Sequence, residues 1–316
     1  MQEKRSIGPT MAALLLAITP AAAWPQEAPA SPARPQMPVA TDRKVDIGGR
    51  ELAYRCEGEG SPTVVIETGL GDPGVSWLGL LPRLAEHTQA CLYSRAGLGE
   101  SDPPRPGPRA VEHVVEELQA LLVAAGIGGP YVLVGHSLGG VHVRAYTARF
   151  PEDVVGMVLL DSSHEEMAAL AEAIAPPSLA EYREATRQLR AQRPVEGIVD
   201  LGDYLAAVGR PQRLGNIPLI VMSSTERPDP SAMLARMPKN IQQLYEANRE
   251  TIESSTAASR VLMRHLVRDL AVLSSQGRYV EVEDAGHFIH RDQPDRVLEA
   301  IREVVEAARS VPAPGR

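Results

Sequence analysis

The feature that most constrains the fold of this chain is the pentapeptide GHSLG at residues 135–139. It follows an apolar run at residues 131–134 and precedes the sequence GVHVRAY at residues 140–146. A strand, then G-x-S-x-G, then a helix is the setting in which a serine occupies a strained turn above a β-sheet. The glycines on either side are needed because a Cβ atom there would collide with neighbouring backbone. We therefore predict a strand-to-helix turn with Ser137 at its tip; the alternative is a glycine-rich turn that contains a serine by chance.

Short apolar segments alternate with helical segments along the rest of the chain. The segments that we predict as strands are residues 45–47, 51–56, 63–67, 90–93, 131–134, 154–160, 217–222 and 278–283. Apolar residues at helical spacing predict helices at residues 77–86, at residues 111–125 and from about residue 294 onward. The alternation predicts an α/β fold with a mostly parallel eight-stranded sheet that is flanked by helices on both faces.

A long helical insert interrupts the alternation. Residues from about 162 to 214 have a polar, helical pattern, and they are too many for a simple crossover between strands. We predict that they form a helical cap over the carboxyl ends of the strands, where such folds bind their ligands. Residues from about 231 to 275 are also mostly helical. The domain as a whole is predicted to span residues 42–312.

The first 23 residues have the pattern of a secretory signal peptide. Two basic residues precede a short apolar run at residues 11–18, and three alanines end at Ala23, after which we expect cleavage. The apolar run is too short to span a bilayer as a helix; an uncleaved N-terminal anchor is the alternative. Residues 24–41 are rich in Pro and Ala and are predicted to be a disordered linker. We therefore expect a periplasmic or secreted protein.

Composition and charge exclude several classes of partner. The formal net charge is −8 at pH 7 and no polybasic cluster is present, which argues against nucleic acids and anionic membranes. No group of His, Cys and Asp residues has the sequence spacing of a metal site, and no phosphate-binding loop is present. We expect a monomer without cofactor or metal that acts on a small molecule, with no stable membrane insertion after signal cleavage.

The motifs in combination resemble those of the α/β-hydrolase fold family. They are GLG at residues 69–71, RAGLGESD at residues 95–102, the pentapeptide around Ser137, and AGH at residues 285–287. The resemblance covers residues from about 45 to 308 and is specific for the fold, but much less so for the substrate. Two positions depart from the family pattern: Ser94 stands where aspartate is usual, and Thr68 stands where many members have histidine. We expect activity to survive both changes, because the first position is structural and the oxyanion hole uses backbone amides.

The resemblance implies a serine-hydrolase mechanism. A serine hydroxyl needs a base within hydrogen-bond reach, and the base needs a carboxylate that orients it. The family has these residues in the order serine, acid, histidine. Ser137 is therefore the expected nucleophile, and His287 is the expected base. The amides of Leu138 and Leu70 are expected to form the oxyanion hole, and His290 is expected to be a surface or structural residue.

Three carboxylates are candidates for the orienting acid. In many family members the acid follows the strand that here ends at Met222, but the usual Gly-x-x-Asp pattern is absent there, and the segment offers Glu226 and Asp229. Some members use a carboxylate after the preceding strand, which here is Asp161. A carboxylate at a buried strand end needs a partner, because an isolated buried charge is costly. We favour Asp161 over Glu226 and then Asp229; the other interpretation of Asp161 is a residue that holds the entry to the cap.

The resemblance also gives the two cysteines a role. In the topology that it implies, the strand that ends at Cys56 runs antiparallel beside the strand that begins near Cys91. We therefore expect a Cys56–Cys91 disulfide, which an exported protein can keep. It would lie at the end of the sheet away from the active site and would stabilise the fold.

The function that the resemblance implies is that of a secreted bacterial serine hydrolase, similar to carboxylesterases, which cleaves carboxylic esters through an acyl-enzyme on Ser137. Peptidase, lactonase and thioesterase activities are the alternatives within acyl transfer. A peptidase usually needs an acidic anchor for the substrate amine. Acidic cap residues could provide one, although a solvated helix face is the simpler interpretation; they are Glu165, Glu166, Glu172 and Glu181. A ligand-binding protein with a vestigial triad is the alternative from a different class.

Overall fold

The computed structural model describes residues 41–192, 194–226 and 234–310. The predicted signal peptide, nearly all of the predicted linker, and Asp229 lie outside these residues. Within the described ranges, every helix is too short or too polar to cross a membrane.

One eight-stranded sheet forms the centre of the described part of the chain. Its strands are β1 (Arg43–Asp46), β2 (Glu51–Glu57), β3 (Thr63–Glu67), β4 (Ala90–Tyr93), β5 (Tyr131–His136), β6 (Val154–Leu160), β7 (Leu219–Ser224) and β8 (Gly277–Val282). They lie in the order β1-β2-β4-β3-β5-β6-β7-β8. Strand β2 pairs antiparallel with β1 and β4, and the other neighbours pair in parallel. The predicted mostly parallel sheet of eight strands is confirmed.

Alternate residues of β5 face two separate hydrophobic cores. Val132 and Val134 belong to the core that also contains Val297 near the C-terminus. Leu133 faces the opposite side, where it shares a core with Leu118. Since successive side chains of a strand point to opposite faces, an uninterrupted apolar run is the expected sequence of a strand that has helices on both sides.

Helices cover both faces of the sheet. They are α1 (Leu81–Ala85), α2 (Val111–Ala124), α3 (Gly139–Arg149), α4 (Met167–Ile174), α5 (Ala180–Ala191), α6 (Leu201–Val208), α7 (Lys239–Ala247), α8 (Arg249–Asp269), α9 (Ile289–Asp292) and α10 (Pro294–Ser310). Helix α10 begins with proline, which is favourable in a first turn. It packs against β5 and β6 and buries the apolar face that its spacing predicts: Val297, Leu298, Ile301, Val304 and Val305.

The cap layer has two parts. Helices α4, α5 and α6 lie between β6 and β7, inside the insert that the sequence predicts. Helix α4 packs against α6 and α8, and α5 packs against α7. The helices that follow β7 therefore belong to the same layer. Sequence analysis did not assign them to the cap, because an amphipathic pattern is equally typical of an ordinary crossover helix.

A disulfide joins Cys56 of β2 to Cys91 of β4. The two residues face each other directly across the antiparallel ladder. Since β4 begins at Ala90 and runs parallel to β3, the bond lies near the end of the sheet that is opposite to the carboxyl ends of the parallel strands. The predicted disulfide is present, and it is compatible with an exported protein.

Candidate active site

Ser137 lies in the turn between β5 and α3, which we call the serine turn (residues 135–139). Its backbone is left-handed, with a φ of 53°, which is strained for a residue that has a side chain. Both flanking glycines are required. A Cβ atom on Gly135 would lie 2.7 Å from the Cα of Gly140, and one on Gly139 would lie 2.2 Å from the carbonyl oxygen of Glu67. The structure therefore contains the predicted strand-to-helix turn.

The amide that follows Ser137 occupies the start of a helix. Leu138 is the N-cap residue of α3, and the carbonyl of Ser137 accepts a hydrogen bond from the amide of Gly140 over 3.0 Å. The first amides of a helix have no partner within the helix, and the helix dipole is positive there. The Leu138 amide is therefore suited to bind a negative oxygen beside the serine.

Asp161 directly follows β6 and faces His287, which lies in the histidine loop (residues 284–288) after β8. Asp161 Oδ2 is 2.7 Å from His287 Nδ1, and Oδ1 accepts from the Ser224 amide over 3.2 Å. The backbone of Asp161 is left-handed, with a φ of 41°. Its amide donates to the carbonyl of Met222 over 2.8 Å. The ends of β6 and β7 together therefore hold the carboxylate that the sequence favours.

The charge state of Asp161 follows from its neighbours. Burial alone would raise the pKa of this carboxyl, but the hydrogen bond and charge of His287, with the Ser224 amide, outweigh burial and hold the pKa below its ordinary value of 3.8. Asp161 is therefore ionised at neutral pH. Since a carboxylate only accepts, Nδ1 of His287 is the donor, and Nε2 is the ring nitrogen that can take up a proton.

The other two candidate acids are not in this position. Glu226 is exposed to solvent. Its amide donates to the carbonyl of Ala285 over 3.0 Å, so its backbone borders the histidine loop. Asp229 lies outside the described residues. Of the described candidates, Asp161 is thus the one whose carboxylate contacts Nδ1 of His287.

A buried histidine joins the serine turn to the histidine loop. His136 immediately precedes Ser137, and its Nε2 donates to the carbonyl of His287 over 2.8 Å. The two imidazole rings have centroids 4.8 Å apart. Burial lowers the pKa of His136 to about 4, so the ring is neutral at neutral pH. The serine and the expected base are therefore on adjoining loops.

A third turn, the glycine turn (residues 69–72), follows β3 and lies against the serine turn. A Cβ atom on its first residue would lie 3.0 Å from Nδ1 of His136 and 3.3 Å from Cβ of Ser137. This close approach is why glycine stands there. Leu70 is half-buried in this turn. The two residues expected to form the oxyanion hole, Leu70 and Leu138, thus belong to turns that touch.

A buried cluster of charges fixes the glycine turn. Arg95 donates to the carbonyl of Gly69 over 2.6 Å. The same guanidinium pairs with Glu67 at 2.7 Å and with Glu196 at 2.6 Å. Glu196, from the loop between α5 and α6, also accepts from the amide of Gly71 over 2.7 Å. Burial would raise the pKa of both glutamates, but the charge of Arg95 acts together with hydrogen bonds, from His142 and Tyr93 to Glu67 and from Arg95 and the Gly71 amide to Glu196, and the pKa of each is lowered. The cluster therefore fastens a loop of the cap to the glycine turn.

Sequence analysis did not single out this cluster. Glu67 carries a detectable signal, because a charged residue at the end of a buried strand needs a partner. Glu196 carries none, since it lies in a cap loop and meets Arg95 only through the tertiary fold.

Two side chains near the site are buried. Of the two alternatives expected for His290, surface or structural, its position fits the second: its ring stacks on Trp77 with centroids 4.1 Å apart, and its Nε2 lies 2.8 Å from Oγ of Ser76. Burial lowers the pKa of His290 to about 2. Glu165 is also buried and pairs with Arg144 at 2.7 Å, so it is not part of a solvated helix face.

A cavity of about 930 Å³ lies beside the Asp161–His287 pair. Its walls come from the histidine loop, from helix α9, from the ends of β6 and β7, and from cap helix α8. They include Asp161, Thr256, Arg260, Met263, Phe288 and Arg291. This volume is typical of small-molecule sites, and a ligand there would contact both the histidine loop and the cap.

Comparisons with known proteins agree with this fold. The model of the Alpha/beta hydrolase family matches residues 64–300. The uncharacterized protein YqjL of Bacillus subtilis (strain 168) is 29% identical over 260 residues, which are 82% of this chain and 89% of that protein.

Two solved structures are also similar. An esterase from Thermogutta terrifontis superimposes with a TM-score of 0.52 at 20% identity, over 84% of this chain and 98% of its own. The enol-lactonase from Burkholderia xenovorans LB400 gives a TM-score of 0.53 at 22% identity, over 84% of this chain and 100% of its own. At these identities, the two structures show a shared fold alone.

Proposed function

Because the chain belongs to the alpha/beta hydrolase family, we propose that it is a serine hydrolase that cleaves carboxylic esters. In this proposal Ser137 is the nucleophile, His287 is the general base and acid, and Asp161 orients His287. The observation that supports it most strongly is the contact of 2.7 Å between Asp161 Oδ2 and His287 Nδ1. Strained backbone at Ser137 and Asp161 adds support, because such strain clusters at functional sites.

The first half of the reaction forms an acyl-enzyme. Oγ of Ser137 attacks the ester carbonyl carbon while Nε2 of His287 takes the hydroxyl proton; Nδ1 cannot, because it already donates to the carboxylate. The carbonyl electron pair moves to oxygen, and the amides of Leu138 and Leu70 stabilise the oxyanion. Loss of one such donor typically lowers turnover ~10²–10³-fold. The intermediate then expels the alkoxide, which takes the proton from Nε2 and leaves as the alcohol.

The second half releases the acid. A water molecule gives a proton to Nε2 of His287, and its oxygen attacks the acyl carbon. The new intermediate expels the Ser137 oxygen, which recovers its proton from His287. Throughout both halves, the ionised Asp161 stabilises the imidazolium and holds the ring in one tautomer.

The peptidase alternative keeps three of its four candidate anchors in the cap. An anchor for a substrate amine must be an accessible carboxylate: Glu165 is buried against Arg144, whereas Glu166, Glu172 and Glu181 are exposed. The cavity beside His287 presents two cations, Arg260 and Arg291, and four carboxylates, Asp161, Glu226, Asp284 and Asp292. Since this wall carries both signs of charge, it does not select between an ester and a peptide, and the dipeptides in the assay below test the peptidase alternative.

We also propose that the protein works outside the cytoplasm after removal of residues 1–23. The Cys56–Cys91 disulfide supports this, because disulfides persist in oxidising compartments. Mass spectrometry of the protein from the periplasm of an expression host tests the proposal. A mature N-terminus at Trp24 is the expected result, and a chain that still begins at Met1 would contradict it.

A panel of 4-nitrophenyl esters of graded acyl length tests the proposed activity. We expect saturable hydrolysis by the wild type and only background hydrolysis by Ser137→Ala, which removes one oxygen and keeps the turn. Lactones, thioesters and dipeptides in the same assay separate the alternatives. A higher kcat/KM on one of these classes than on every ester would reassign the substrate. A folded wild type without activity on any class would favour the ligand-binding alternative.

A further inference from the structure

Three side chains that can bind metals meet beside the serine turn: Asp72, His136 and His290. One ligand atom from each lies within 4.8 Å of the other two. They come from the glycine turn, from the serine turn and from helix α9. His136 and His290 are only 1% and 0% exposed, and Asp72 is partly buried. The three residues are far apart in the sequence, so spacing alone does not reveal the cluster.

The hydrogen bonds of His136 fix its tautomer. Its Nε2 lies 2.8 Å from the carbonyl oxygen of His287. A carbonyl only accepts, so Nε2 holds the proton and donates. In the neutral ring, Nδ1 is then unprotonated and carries a lone pair. This atom is buried, and it has no hydrogen-bond partner in the part of the chain that the structure describes.

Ser76 fixes the tautomer of His290 in the same way. The Ser76 hydroxyl has one proton and donates it to Oδ2 of Asp72 over 2.6 Å. Its oxygen must therefore accept from Nε2 of His290, which is 2.8 Å away. Nδ1 of His290 thus carries a lone pair as well. This atom is also buried, and it has no hydrogen-bond partner among the described residues.

The cluster thus offers a carboxylate and two imidazole nitrogens whose lone pairs are buried without a hydrogen-bond partner among the described residues, which suits a cation. We propose that Asp72, His136 and His290 together bind a divalent transition-metal ion of the zinc class. Zinc takes imidazole nitrogens and carboxylate oxygens at about 2.0–2.2 Å in tetrahedral geometry, so its ligand atoms are roughly 3.3–3.6 Å apart. A ligand atom of each residue lies within 4.8 Å of the other two, so each pair must close by at most about 1.5 Å to reach this geometry.

The remaining hydrogen bonds of the cluster also fit a metal site. Histidines that bind metals usually donate their other N–H to a carboxylate, a carbonyl or water. His136 donates to a carbonyl, and His290 donates to a hydroxyl that is itself bonded to Asp72. Oδ1 of Asp72 accepts from the Gly74 amide over 2.8 Å, which leaves each oxygen with a second lone pair. Binding through Nδ1 of both histidines therefore breaks none of these hydrogen bonds.

The bound ion links the three loops around the candidate active site. Asp72 ends the glycine turn, His136 precedes Ser137, and His290 is three residues after His287. We assign the ion a structural role, since it fixes these loops relative to one another. Its binding does not depend on the proposed ester hydrolysis.

The zinc content of the full chain tests the proposal. The protein, purified without a histidine tag, is stripped with a chelator, dialysed against ZnCl₂ and then against metal-free buffer, and its zinc is counted by inductively coupled plasma mass spectrometry. We expect one zinc per wild-type chain and less than a tenth of that in His290→Gln and in Asp72→Asn. The control His265→Gln removes an exposed histidine and should keep the full amount. No zinc in the wild type, or one zinc in both cluster variants, would overturn the proposal.

A second measurement uses only the wild type and so does not depend on how the variants fold. Crystals grown with ZnCl₂ are measured at the zinc absorption edge. An anomalous peak between Asp72, His136 and His290 is expected. An ordered water bonded to both Nδ1 atoms in the presence of zinc would show that water satisfies the lone pairs, and the proposal would be wrong.

Discussion

The two ends of the sheet are built differently. At the carboxyl ends of the parallel strands, Ser137, Asp161 and Asp284 all have left-handed backbone, with φ values of 53°, 41° and 55°. Each of them follows a strand closely. Toward the opposite end, the disulfide between Cys56 and Cys91 joins two neighbouring strands directly.

We propose that the carboxyl ends of the strands serve catalysis and that the opposite end of the sheet serves stability. Left-handed backbone at a residue with a side chain costs of order 1–3 kcal/mol and persists where the surrounding structure enforces it. A disulfide instead stabilises the fold, mainly by restricting the unfolded chain. Substitutions at the carboxyl ends should therefore change turnover with little effect on unfolding. Substitutions at the disulfide should change unfolding with little effect on turnover.

The largest effect is expected from His287→Asn. This change removes the proposed base, and we expect kcat to fall ~10⁶-fold, as for loss of a nucleophile or base from a triad. Because the His287 side chain is 39% exposed, the melting temperature should change little. Ester hydrolysis and a thermal melt measure the two quantities, with His265→Asn as the matched control. A large fall in melting temperature with turnover preserved would show that His287 stabilises the fold and does not take part in catalysis, which contradicts the proposed difference between the two ends.

The next effect is expected from Asp161→Asn. An amide in place of the carboxylate can donate to Nδ1 of His287, which leaves the proton on Nε2 and blocks its use as a base. We expect kcat to fall ~10⁴-fold, measured on the best ester of the panel. Circular dichroism checks that the variant is folded. A fall of less than tenfold in a folded variant would show that Asp161 only holds the entry to the cap.

The double substitution Cys56→Ser with Cys91→Ser tests the opposite end. The cysteines are 35 residues apart in sequence, and for a loop of that length we expect the free energy of unfolding to fall by about 3–4 kcal/mol. Urea denaturation measures this loss, and kcat/KM should stay within about twofold of the wild type at a temperature where both proteins are folded. A large loss of turnover without a loss of stability would show that this end also shapes the active site.

The smallest effect is expected from Glu226→Gln. This glutamate is exposed, and surface substitutions usually change stability by less than about 0.5 kcal/mol. We expect kcat within about twofold of the wild type, because the carboxylate that contacts Nδ1 of His287 is that of Asp161. If this variant loses turnover ~10⁴-fold while Asp161→Asn does not, Glu226 is the orienting acid.

The sheet was predictable because each buried strand appears in the sequence as an apolar run between turn residues. The positions of Ser137 and His287 after β5 and β8 were predictable because local motifs mark them, and their catalytic roles stay predictions. The choice of Asp161 as the orienting acid was less certain from the sequence, because the sequence does not show which strand end faces the histidine loop.

The contacts that sequence analysis missed are tertiary. Glu196 meets Arg95 across a long stretch of chain, and His136 meets His290 only because β5 and β8 bring their loops to the same edge. Helix α8 was identified as helical but not as part of the cap, because its amphipathic pattern does not say which surface it covers.

The central claim is that Ser137 is an activated nucleophile. A fluorophosphonate probe tests it directly, because the probe reacts with a serine oxygen that a neighbouring base activates and leaves a stable adduct. Intact-mass and peptide analysis of the folded wild type should show one adduct per chain on Ser137, none in Ser137→Ala and greatly slowed labelling in His287→Asn. A folded wild type that stays unlabelled, or Ser137→Ala labelled as fast as the wild type, would contradict the account.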